Sequence, residues 1–178
     1  MLTSQNSLKI KIIKNKNINK IQIKKIIKLK NSEWKYNYSS HIKWIKLFLK
    51  PYDLHFLLIK DKKLIGYNLL RKRLITDNIK NFHKSDFFYF DTFIIDKNFR
   101  KKGYAGYFIN KINNYILKHK KLGLLLCKKI HIKFYQKYKW KKIIKEKFKF
   151  LDKKTRLNIM VINFKKNKSK NIFLVKLN

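Results

Sequence analysis

The residues best suited to chemistry lie in one short stretch, residues 100–106, with the sequence RKKGYAG. It holds the only alanine and two of the four glycines in a chain of 178 residues. Glycine adopts positive φ at no steric cost and lets a ligand approach the main chain closely. An apolar run precedes the stretch and a helix-like segment follows it. A strand, a basic glycine turn and a helix N-terminus together predict a phosphate site, because main-chain N–H groups and the helix dipole favour an anion.

The elements that must position this stretch follow from hydrophobic spacing and turn residues. Strands are predicted at 8–13, 54–59, 64–70, 87–95 and 123–127, with a closing pair at 140–150 and 156–164 and a last strand at 171–177. Helices are predicted at 18–29, 41–49, 107–119 and 130–138, and a polar segment at 76–84 leads to the strand at 87–95. In the first helix, the spacing selects one face: Ile18, Ile21, Ile26 and Leu29. Ser39 or Ser40 is the predicted N-cap of the second helix, and Pro51 ends it.

This order predicts an α+β fold of three layers. The strand–helix–strand unit across residues 87–127 implies a parallel pair with a right-handed crossover, and the hairpins imply antiparallel neighbours. We therefore expect a mixed, largely antiparallel sheet of about six or seven strands, with a central parallel pair and helices on both faces. No linker divides the chain, which predicts a single domain over residues 1–178. Its core is expected at 8–164, followed by a lysine-rich segment and the terminal strand.

Composition restricts the function classes. The chain carries 47 Lys and Arg against 9 Asp and Glu, a formal net charge of +38. The residues in excess are those with AT-rich codons and the lysines are spread along the chain, so we attribute the charge to codon bias rather than to a nucleic-acid partner. One cysteine excludes an internal disulfide framework and a cysteine-rich zinc site. Because no apolar run approaches the roughly 20 residues of a membrane span and no secretory pattern is present, a cytoplasmic protein is expected.

Two motifs, one following the other along the chain, resemble the signatures of the GCN5-related N-acetyltransferase (GNAT) superfamily. The pyrophosphate signature of that family is Arg or Gln-x-x-Gly-x-Gly or Ala, matched by Arg100, Gly103 and Ala105. Its second signature is an aromatic pair before a Gly-Trp strand start, matched by Phe134 and Tyr135. The resemblance covers residues 87–143 by motif and the flanking elements by order alone. It implies the GNAT fold and the transfer of an acyl group from acyl-CoA to an amine.

One residue departs from the second signature. The chain has Lys139 before Trp140, where the family has glycine. A left-handed residue is expected at this helix end, and lysine adopts that conformation only at some cost.

The resemblance implies acetyl-CoA as the acyl donor, with no metal. A main-chain N–H of Ile94 or Ile95 is expected to polarise the thioester carbonyl. The expected cofactor-binding residues are Phe93, Ile94, Ile95, Arg100, Lys101, Lys102, Gly103, Tyr104, Ala105 and Gly106. Tyr135 is the expected general acid, because a thiol has a pKa near 8.5 and a nearby hydroxyl can protonate the departing sulfur. Ten tyrosines leave a packed aromatic ring as the competing interpretation.

A proton acceptor is also required, since a lysine-like amine, of pKa about 10.4, is protonated at neutral pH. Asp91 interrupts the apolar run FFYFDTF, and burial of a carboxylate strengthens it as a base. A structural, hydrogen-bonded aspartate is the alternative, and His83, His131 or a chain of waters are weaker candidates. Cys127 follows an apolar strand and is predicted to pack.

The sequence therefore predicts an acetyl-CoA-dependent N-acetyltransferase. The acceptor is expected to be a small-molecule amine, such as an amino sugar or a metabolite, rather than a protein, and the enzyme a monomer or homodimer. The aromatic region from Trp34 to Trp44 either lines the acceptor pocket or packs in the core, and core packing is favoured. Two alternatives remain: a basic nucleic-acid-binding module, which leaves the glycine turn unexplained, and a catalytically silent CoA-binding domain.

Overall fold

The computed structural model describes residues 7–77, 84–152, 155–164 and 172–177. The helices are α1 (Lys20–Asn31), α2 (Tyr38–Phe48), α3 (Tyr104–Lys118) and α4 (Ile132–Lys137). The strands are β1 (Leu8–Lys14), β2 (Leu54–Lys60), β3 (Lys63–Asp77), β4 (Lys84–Ile95), β5 (Leu122–Cys127), β6 (Lys141–Ile143), β7 (Phe148–Phe150), β8 (Asn158–Ile162) and β9 (Phe173–Val175). None of the helices in these ranges is long and apolar enough to cross a membrane.

The strands form a mixed sheet. They hydrogen-bond in the order β1-β2-β3-β4-β5-β8-β6, and β9 pairs with both β3 and β7. The β4–β5 and β7–β9 pairs are parallel. The β1–β2, β2–β3, β3–β9, β5–β8 and β6–β8 pairs are antiparallel. The predicted α+β class with a parallel pair inside a largely antiparallel sheet is confirmed, with seven strands along the main path and two short strands beside it.

The chain falls into two compact units, here called the first and second units. The first unit comprises Met1–Leu70 and Thr92–Ile109, and the second comprises Arg71–Asp91 and Asn110–Asn178. The strands β3 and β4 and the helix α3 each contribute residues to both units. A single domain stays a prediction.

The core of the first unit packs one side of β2–β4 against α1. Its buried members are Ile13, Ile26, Leu29, Leu49, Leu57, Tyr67, Leu69 and Ile94. On the opposite side of β4, the ring of Phe93 stacks on Phe108 of α3 at 5.6 Å. Because neighbouring strand residues point to opposite faces, Phe93 and Ile94 carry helices on both sides of this part of the sheet.

Two details of the predicted helices are wrong. Ile21 is 67% exposed, and Ile27 is buried on α1 instead. At about 100° per residue, Ile21 lies about 140° around the helix from Ile26, whereas Leu29 lies about 60° from it, so regular helix geometry places Ile21 outside the buried face. The helix begins after Asn19, whose side chain accepts from the N–H of Gln22 in a capping box. The N-cap of α2 is Asn37 rather than Ser39 or Ser40, because the Asn37 side chain accepts from the N–H of Ser40 at 2.7 Å.

The hairpin between β2 and β3 is confirmed, with a two-residue turn at Asp61 and Lys62. Both have positive φ, 47° and 63°, which matches the right-handed twist of the strands. The strands beyond the hairpin are longer than predicted, since β3 continues to Asp77 and β4 begins at Lys84. Most of the predicted polar segment, including His83, lies outside the described residues.

A buried histidine of β2 links β3 to the turn that follows β1. The Nδ1 atom of His55 lies 2.9 Å from the hydroxyl of Tyr67, and its Nε2 atom lies 3.1 Å from Oδ1 of Asn15. Burial lowers the pKa of His55 to about 4, so the ring is neutral at physiological pH.

The core of the second unit packs around β5, β8 and β9. Its buried members are Ile75, Phe87, Tyr89, Leu124, Phe148, Ile159, Val161, Val175 and Leu177. The predicted strand 140–150 is two strands, because a 3-10 turn at Lys145–Lys147 separates β6 from β7. The β6–β8 pair confirms the closing antiparallel pair, whereas β7 pairs with the terminal strand β9.

The parallel pair in this unit is short. Its register runs from Phe87 opposite Leu122 to Tyr89 opposite Leu124. Both strands continue, β4 through Phe90 and Asp91 and β5 to Cys127. The two strands therefore part after Tyr89.

Candidate active site

The loop after β4 in the first unit is anchored at its start. The N–H of Asp96 donates to the carbonyl of Ile65 at 2.8 Å, and its carboxylate pairs with Lys63 at 3.1 Å. The same carboxylate accepts from the N–H of Asn98 at 3.0 Å, which caps the 3-10 turn Lys97–Phe99. The loop thus leaves the sheet in a defined direction.

The guanidinium of Arg100 braces the base of the loop. Its Nε donates to the carbonyl of Ile95 at 3.0 Å, and its Nη2 pairs with the carboxylate of Glu33 in the α1–α2 connection. The planar guanidinium carries donors on separate nitrogens at fixed positions, which suits it to bridge two acceptors that lie apart. Arg100 therefore fixes the loop, and the adjacent exposed lysines, Lys101 and Lys102, supply positive charge.

The predicted glycine conformation is present at Gly103. Its φ is +80°, and a Cβ added there would meet nothing within 4 Å. Glycine is required by the backbone dihedral rather than by lack of space. Lys101 also has positive φ, 59°, and the carbonyl of Gly103 accepts from the N–H of Tyr107 at 3.1 Å to begin α3.

The main-chain N–H groups of residues 101–106 are the main feature of the loop. Among the hydrogen bonds of the described residues, none is donated by these six groups. They sit at the N-terminus of a 15-residue helix, where the helix dipole is positive. Residues 101–103 are exposed and residues 104–106 half-buried. The arrangement can bind a multivalent anion such as a diphosphate.

At the end of β4, before the loop, the side chains of residues 93–95 are packed. As whole residues, Ile94 and Ile95 are 3% and 5% exposed, with the Ile94 side chain in the core, and the ring of Phe93 stacks on Phe108. A ligand at this stretch would therefore contact main-chain atoms.

Tyr135 lies on α4 of the second unit among aromatic rings. Its ring contacts those of Phe90, Phe134 and Trp140 at 6.1, 5.2 and 6.3 Å in edge-to-face geometry. Burial raises the pKa of Tyr135, and the neighbouring Cys127 raises it further, so the hydroxyl keeps its proton. Within the described ranges this hydroxyl has no hydrogen-bond partner. A proton donor with this placement fits the predicted acid, which stays a prediction.

Asp91 is half-buried and bound to Arg71. The Nη1 atom of Arg71 lies 3.1 Å from Oδ2 of Asp91, and its Nη2 atom donates to the carbonyl of Leu177. The guanidinium also lies over the ring of Tyr89, 5.8 Å from its centroid. Burial and the charge of Asp91 raise the pKa of Tyr89. Asp91 is thus a hydrogen-bond acceptor already engaged by an arginine, and its role as a base stays a prediction.

Sequence reasoning did not identify Arg71 or Arg73. Arg73 donates from Nε to the same Leu177 carbonyl at 2.9 Å, while the N–H of Leu177 donates to Asp152 at 2.8 Å. A usable signal was present, since only four of the 47 basic residues are arginine. In a chain that uses lysine for charge, an arginine marks a position where a planar fork is needed.

The second signature is built as expected around Lys139. Its φ is +68°, so the predicted left-handed residue is confirmed. The following Trp140 is 1% exposed, and its Nε1 donates to Asn113 of α3 at 3.0 Å. The amide nitrogen of Asn113 donates to the carbonyl of Tyr138 at 2.9 Å. Asn113 therefore fixes the end of α4, a role that the sequence pattern did not indicate.

The remaining candidates are less suited to chemistry. Cys127 is buried and burial raises the pKa of its thiol, which opposes a nucleophilic thiolate. His131 is exposed. Trp44 packs against the core of the first unit as favoured, whereas Trp34 is 40% exposed. In the part of the chain that the structure describes, no three His, Cys, Asp or Glu side chains cluster as a metal site.

Comparison with known proteins identifies the fold. No family model and no curated protein matches the sequence. Among solved structures, the GNAT family N-acetyltransferase YhbS from Escherichia coli in complex with CoA matches with a TM-score of 0.69 at 12% identity, over 100% of this chain and 93% of that chain. An acyl-CoA N-acyltransferase from Pseudomonas aeruginosa matches with a TM-score of 0.62 at 12% identity, over 87% and 99%.

A third structure binds a known amine. An aminoglycoside acetyltransferase from an uncultured soil metagenomic sample, in complex with sisomicin, matches with a TM-score of 0.55 at 12% identity, over 74% of this chain and 85% of that chain. The chain therefore has the GNAT fold, which confirms the fold implied by its two signatures.

Proposed function

We propose that the protein is an acyl-CoA-dependent N-acyltransferase that transfers an acetyl group from acetyl-CoA to a primary amine. The observation that carries the proposal is the run of six main-chain N–H groups, residues 101–106, that have no acceptor in the described chain. They follow a strand and include the first turn of a long helix, in a fold whose solved examples include a CoA complex. A pyrophosphate needs several donors at once, and this loop supplies them.

Binding and proton transfer are assigned to different residues of the chain. The loop and its lysines would hold the pyrophosphate, while main-chain groups of Phe93, Ile94 and Ile95 would contact the acyl-bearing arm. In the chemical step, the neutral amine nitrogen attacks the thioester carbon, and the resulting tetrahedral oxyanion collapses with cleavage of the carbon–sulfur bond. Tyr135 would donate its proton to the departing sulfur. The amine proton would pass to Asp91 or to water.

A small-molecule acceptor is supported by the fold comparison. One similar structure contains sisomicin, an amine-rich small molecule. The chain itself is strongly cationic, with a net charge of +38, which disfavours a polycationic acceptor such as a basic protein tail. We therefore propose a small amine with few positive charges.

Thermal unfolding tests cofactor binding against simple charge attraction. The melting temperature is measured with acetyl-CoA, with desulfo-CoA, and with heparin and inorganic pyrophosphate as generic polyanions. Binding to the folded state raises the melting temperature in proportion to occupancy. We expect acetyl-CoA and desulfo-CoA to raise it at concentrations where pyrophosphate has little effect. Equal shifts from all anions at equal charge would overturn the proposal and favour a polyanion-binding module.

Turnover is tested by free-thiol release from acetyl-CoA with a panel of amines. The panel comprises glucosamine, spermidine, sisomicin and a lysine-containing peptide. If acetyl-CoA binds selectively but no amine in a broad set raises thiol release above the rate in buffer, the silent CoA-binding domain would be favoured. Release with a monoamine faster than with spermidine or sisomicin would support a weakly charged acceptor.

A further inference from the structure

Asn68 is an isolated polar side chain in an apolar part of the first unit. It lies on β3 opposite Phe56 of β2 and is 0% exposed. Its strand neighbours on the same face are Gly66 and Leu70, and a Cβ at Gly66 would lie 2.8 Å from Ile95. A buried amide is costly unless its donors and acceptors are paired. Its presence here therefore requires a reason.

The orientation of the amide is fixed by chemistry. Its nitrogen lies 2.9 Å from the carbonyl oxygen of Thr92 in β4, and a carbonyl can only accept. The amide oxygen of Asn68 consequently faces away, and it is buried without a hydrogen-bond partner in the described residues. The side chain thus forms one good hydrogen bond and leaves an acceptor unpaired. An arrangement selected only for stability would avoid the unpaired oxygen.

The hydrogen bond acts on the peptide group that joins Thr92 to Phe93. That group is planar and trans, so its C=O and its N–H point in opposite directions. Because Asn68 holds the Thr92 carbonyl on the β3 side, the N–H of Phe93 points away from β3. Phe93 begins the stretch proposed to contact the acyl group. The direction of the Phe93 N–H is therefore fixed by the Asn68 side chain on the neighbouring strand.

We propose that Asn68 is a positioning residue that orients the Thr92–Phe93 peptide toward the acyl thioester. The role rests on the proposed acyltransferase function. It deepens that function by assigning the N–H of Phe93, rather than that of Ile94 or Ile95, to the thioester carbonyl. The unpaired amide oxygen is the structural cost of keeping the donor in place.

The test compares three variants. Asn68→Leu keeps the approximate volume and removes both the donor and the unpaired oxygen, so we expect a melting temperature close to that of the parent. Asn68→Asp keeps the shape, and only its neutral form can donate to the Thr92 carbonyl. Tyr67→Phe is the control, since it removes a buried hydrogen bond to His55 one residue away on the opposite face.

Kinetics with acetyl-CoA and the fastest amine of the panel give the first readout. For Asn68→Leu we expect kcat to fall about tenfold with KM for acetyl-CoA nearly unchanged, because a misdirected N–H weakens transition-state stabilisation more than binding. Asn68→Asp should approach the parent rate as pH falls, since a buried carboxyl is readily protonated. A kcat for Asn68→Leu equal to that of Tyr67→Phe would overturn the proposal.

A second readout is independent of activity. The carbonyl ¹³C resonance of Thr92 and the amide ¹⁵N resonance of Phe93 should both move in Asn68→Leu and remain in place in Tyr67→Phe. If the parent protein shows no turnover, the proposed function fails and these resonances still decide whether Asn68 holds the peptide. Unmoved resonances in Asn68→Leu would overturn the positioning role, whatever the kinetics show.

Discussion

The loop of residues 101–106 and the surroundings of Tyr135 and Asp91 are built in different ways. The loop presents main-chain N–H groups that have no acceptor in the described chain, and residues 101–103 are exposed. The other region relies on side chains. Tyr135 is enclosed by aromatic rings, and Asp91 is held by Arg71. The loop thus presents main-chain donors, whereas the region of Tyr135 and Asp91 consists of side chains that contact their neighbours.

The difference separates binding from chemistry. Main-chain donors recognise a diphosphate through shape and dipole, and their number does not depend on side-chain identity. Proton transfer depends on one hydroxyl or carboxylate and on the groups that set its pKa. Substitutions in the loop should therefore change affinity for acetyl-CoA, whereas substitutions near Tyr135 and Asp91 should change kcat. Each prediction below tests whether cofactor affinity and kcat depend on different regions in this way.

The largest effect is expected from Tyr135→Phe. If the hydroxyl protonates the departing sulfur, its loss should lower kcat about 100-fold, the low end of the range for a general acid. The ring contacts with Phe90 and Trp140 remain, so the melting temperature and the KM for acetyl-CoA should change little. Steady-state thiol release checks both parameters. Phe134→Leu, which alters a neighbouring ring without removing a hydroxyl, is the matched control. A kcat within threefold of the parent would reduce Tyr135 to a packing residue.

The next effect is expected in the loop, at Gly103. Its φ of +80° strains any β-branched residue, while the space around it is open. Asparagine tolerates this conformation, so Gly103→Asn should keep the affinity for acetyl-CoA within about threefold. Gly103→Val should lower that affinity about tenfold, because the left-handed conformation costs 1–2 kcal/mol and its loss displaces the N–H groups. Calorimetric titration measures both. Equal affinities for the two variants would show that the loop dihedrals do not matter.

These two regions also differ in how far the sequence predicted them. The loop was predictable, because the scarcity of small residues made Gly103 and Ala105 conspicuous and the left-handed dihedral follows from local chain geometry. Lys139 is similar, since a local helix-ending rule predicted its positive φ despite the unfavourable side chain. Conformations that depend on a few adjacent residues are recorded in local sequence.

The partners of Asp91 were not predictable in the same way. Arg71 lies 20 residues from Asp91 and 106 from Leu177, and their meeting depends on how β3, β4 and the chain end are paired. The pairing in turn depends on the lengths of β3 and β4, both of which the sequence pattern underestimated. Non-local contacts of this kind are specified by topology rather than by local pattern.

A smaller effect is expected from Arg71→Lys, which tests whether Asp91 acts as the base. Lysine can bind Asp91 or the Leu177 carbonyl but cannot bridge the two as the guanidinium does. If Asp91 accepts the amine proton, kcat should change severalfold and its pH profile should shift. Arg73→Lys is the control, because Arg73 donates to the same Leu177 carbonyl and to the carbonyl of Lys72. The same modest loss in both variants, with no shift of the profile, would assign Asp91 a structural role.

The smallest effect should be that of pH on acetyl-CoA affinity. Main-chain N–H groups do not titrate, so the dissociation constant should stay within about twofold between pH 6.5 and 9. In the same range kcat should rise, because a larger fraction of the amine acceptor is neutral. Titration calorimetry and initial rates over one pH series provide the comparison. If the dissociation constant for acetyl-CoA changed with pH in parallel with kcat, a titrating side chain, and not the main chain, would dominate binding.

His55, which belongs to neither region, is expected to weaken the fold at the acid end of such a series. Its pKa in the folded protein is lowered to about 4 by burial, below the unfolded value of 6.5. A histidine buried in neutral form stabilises the fold above pH 6.5, and that contribution is lost as pH falls toward 4, because the unfolded chain binds the proton more readily. The shift corresponds to about 3 kcal/mol of unfolding free energy. Urea unfolding at pH 7.5 and 4.5 should show most of this loss, and His55→Gln should flatten the dependence. A pH dependence unchanged in His55→Gln would assign the acid sensitivity to other groups, and the loop and the Tyr135 region would then have to be compared at neutral pH alone.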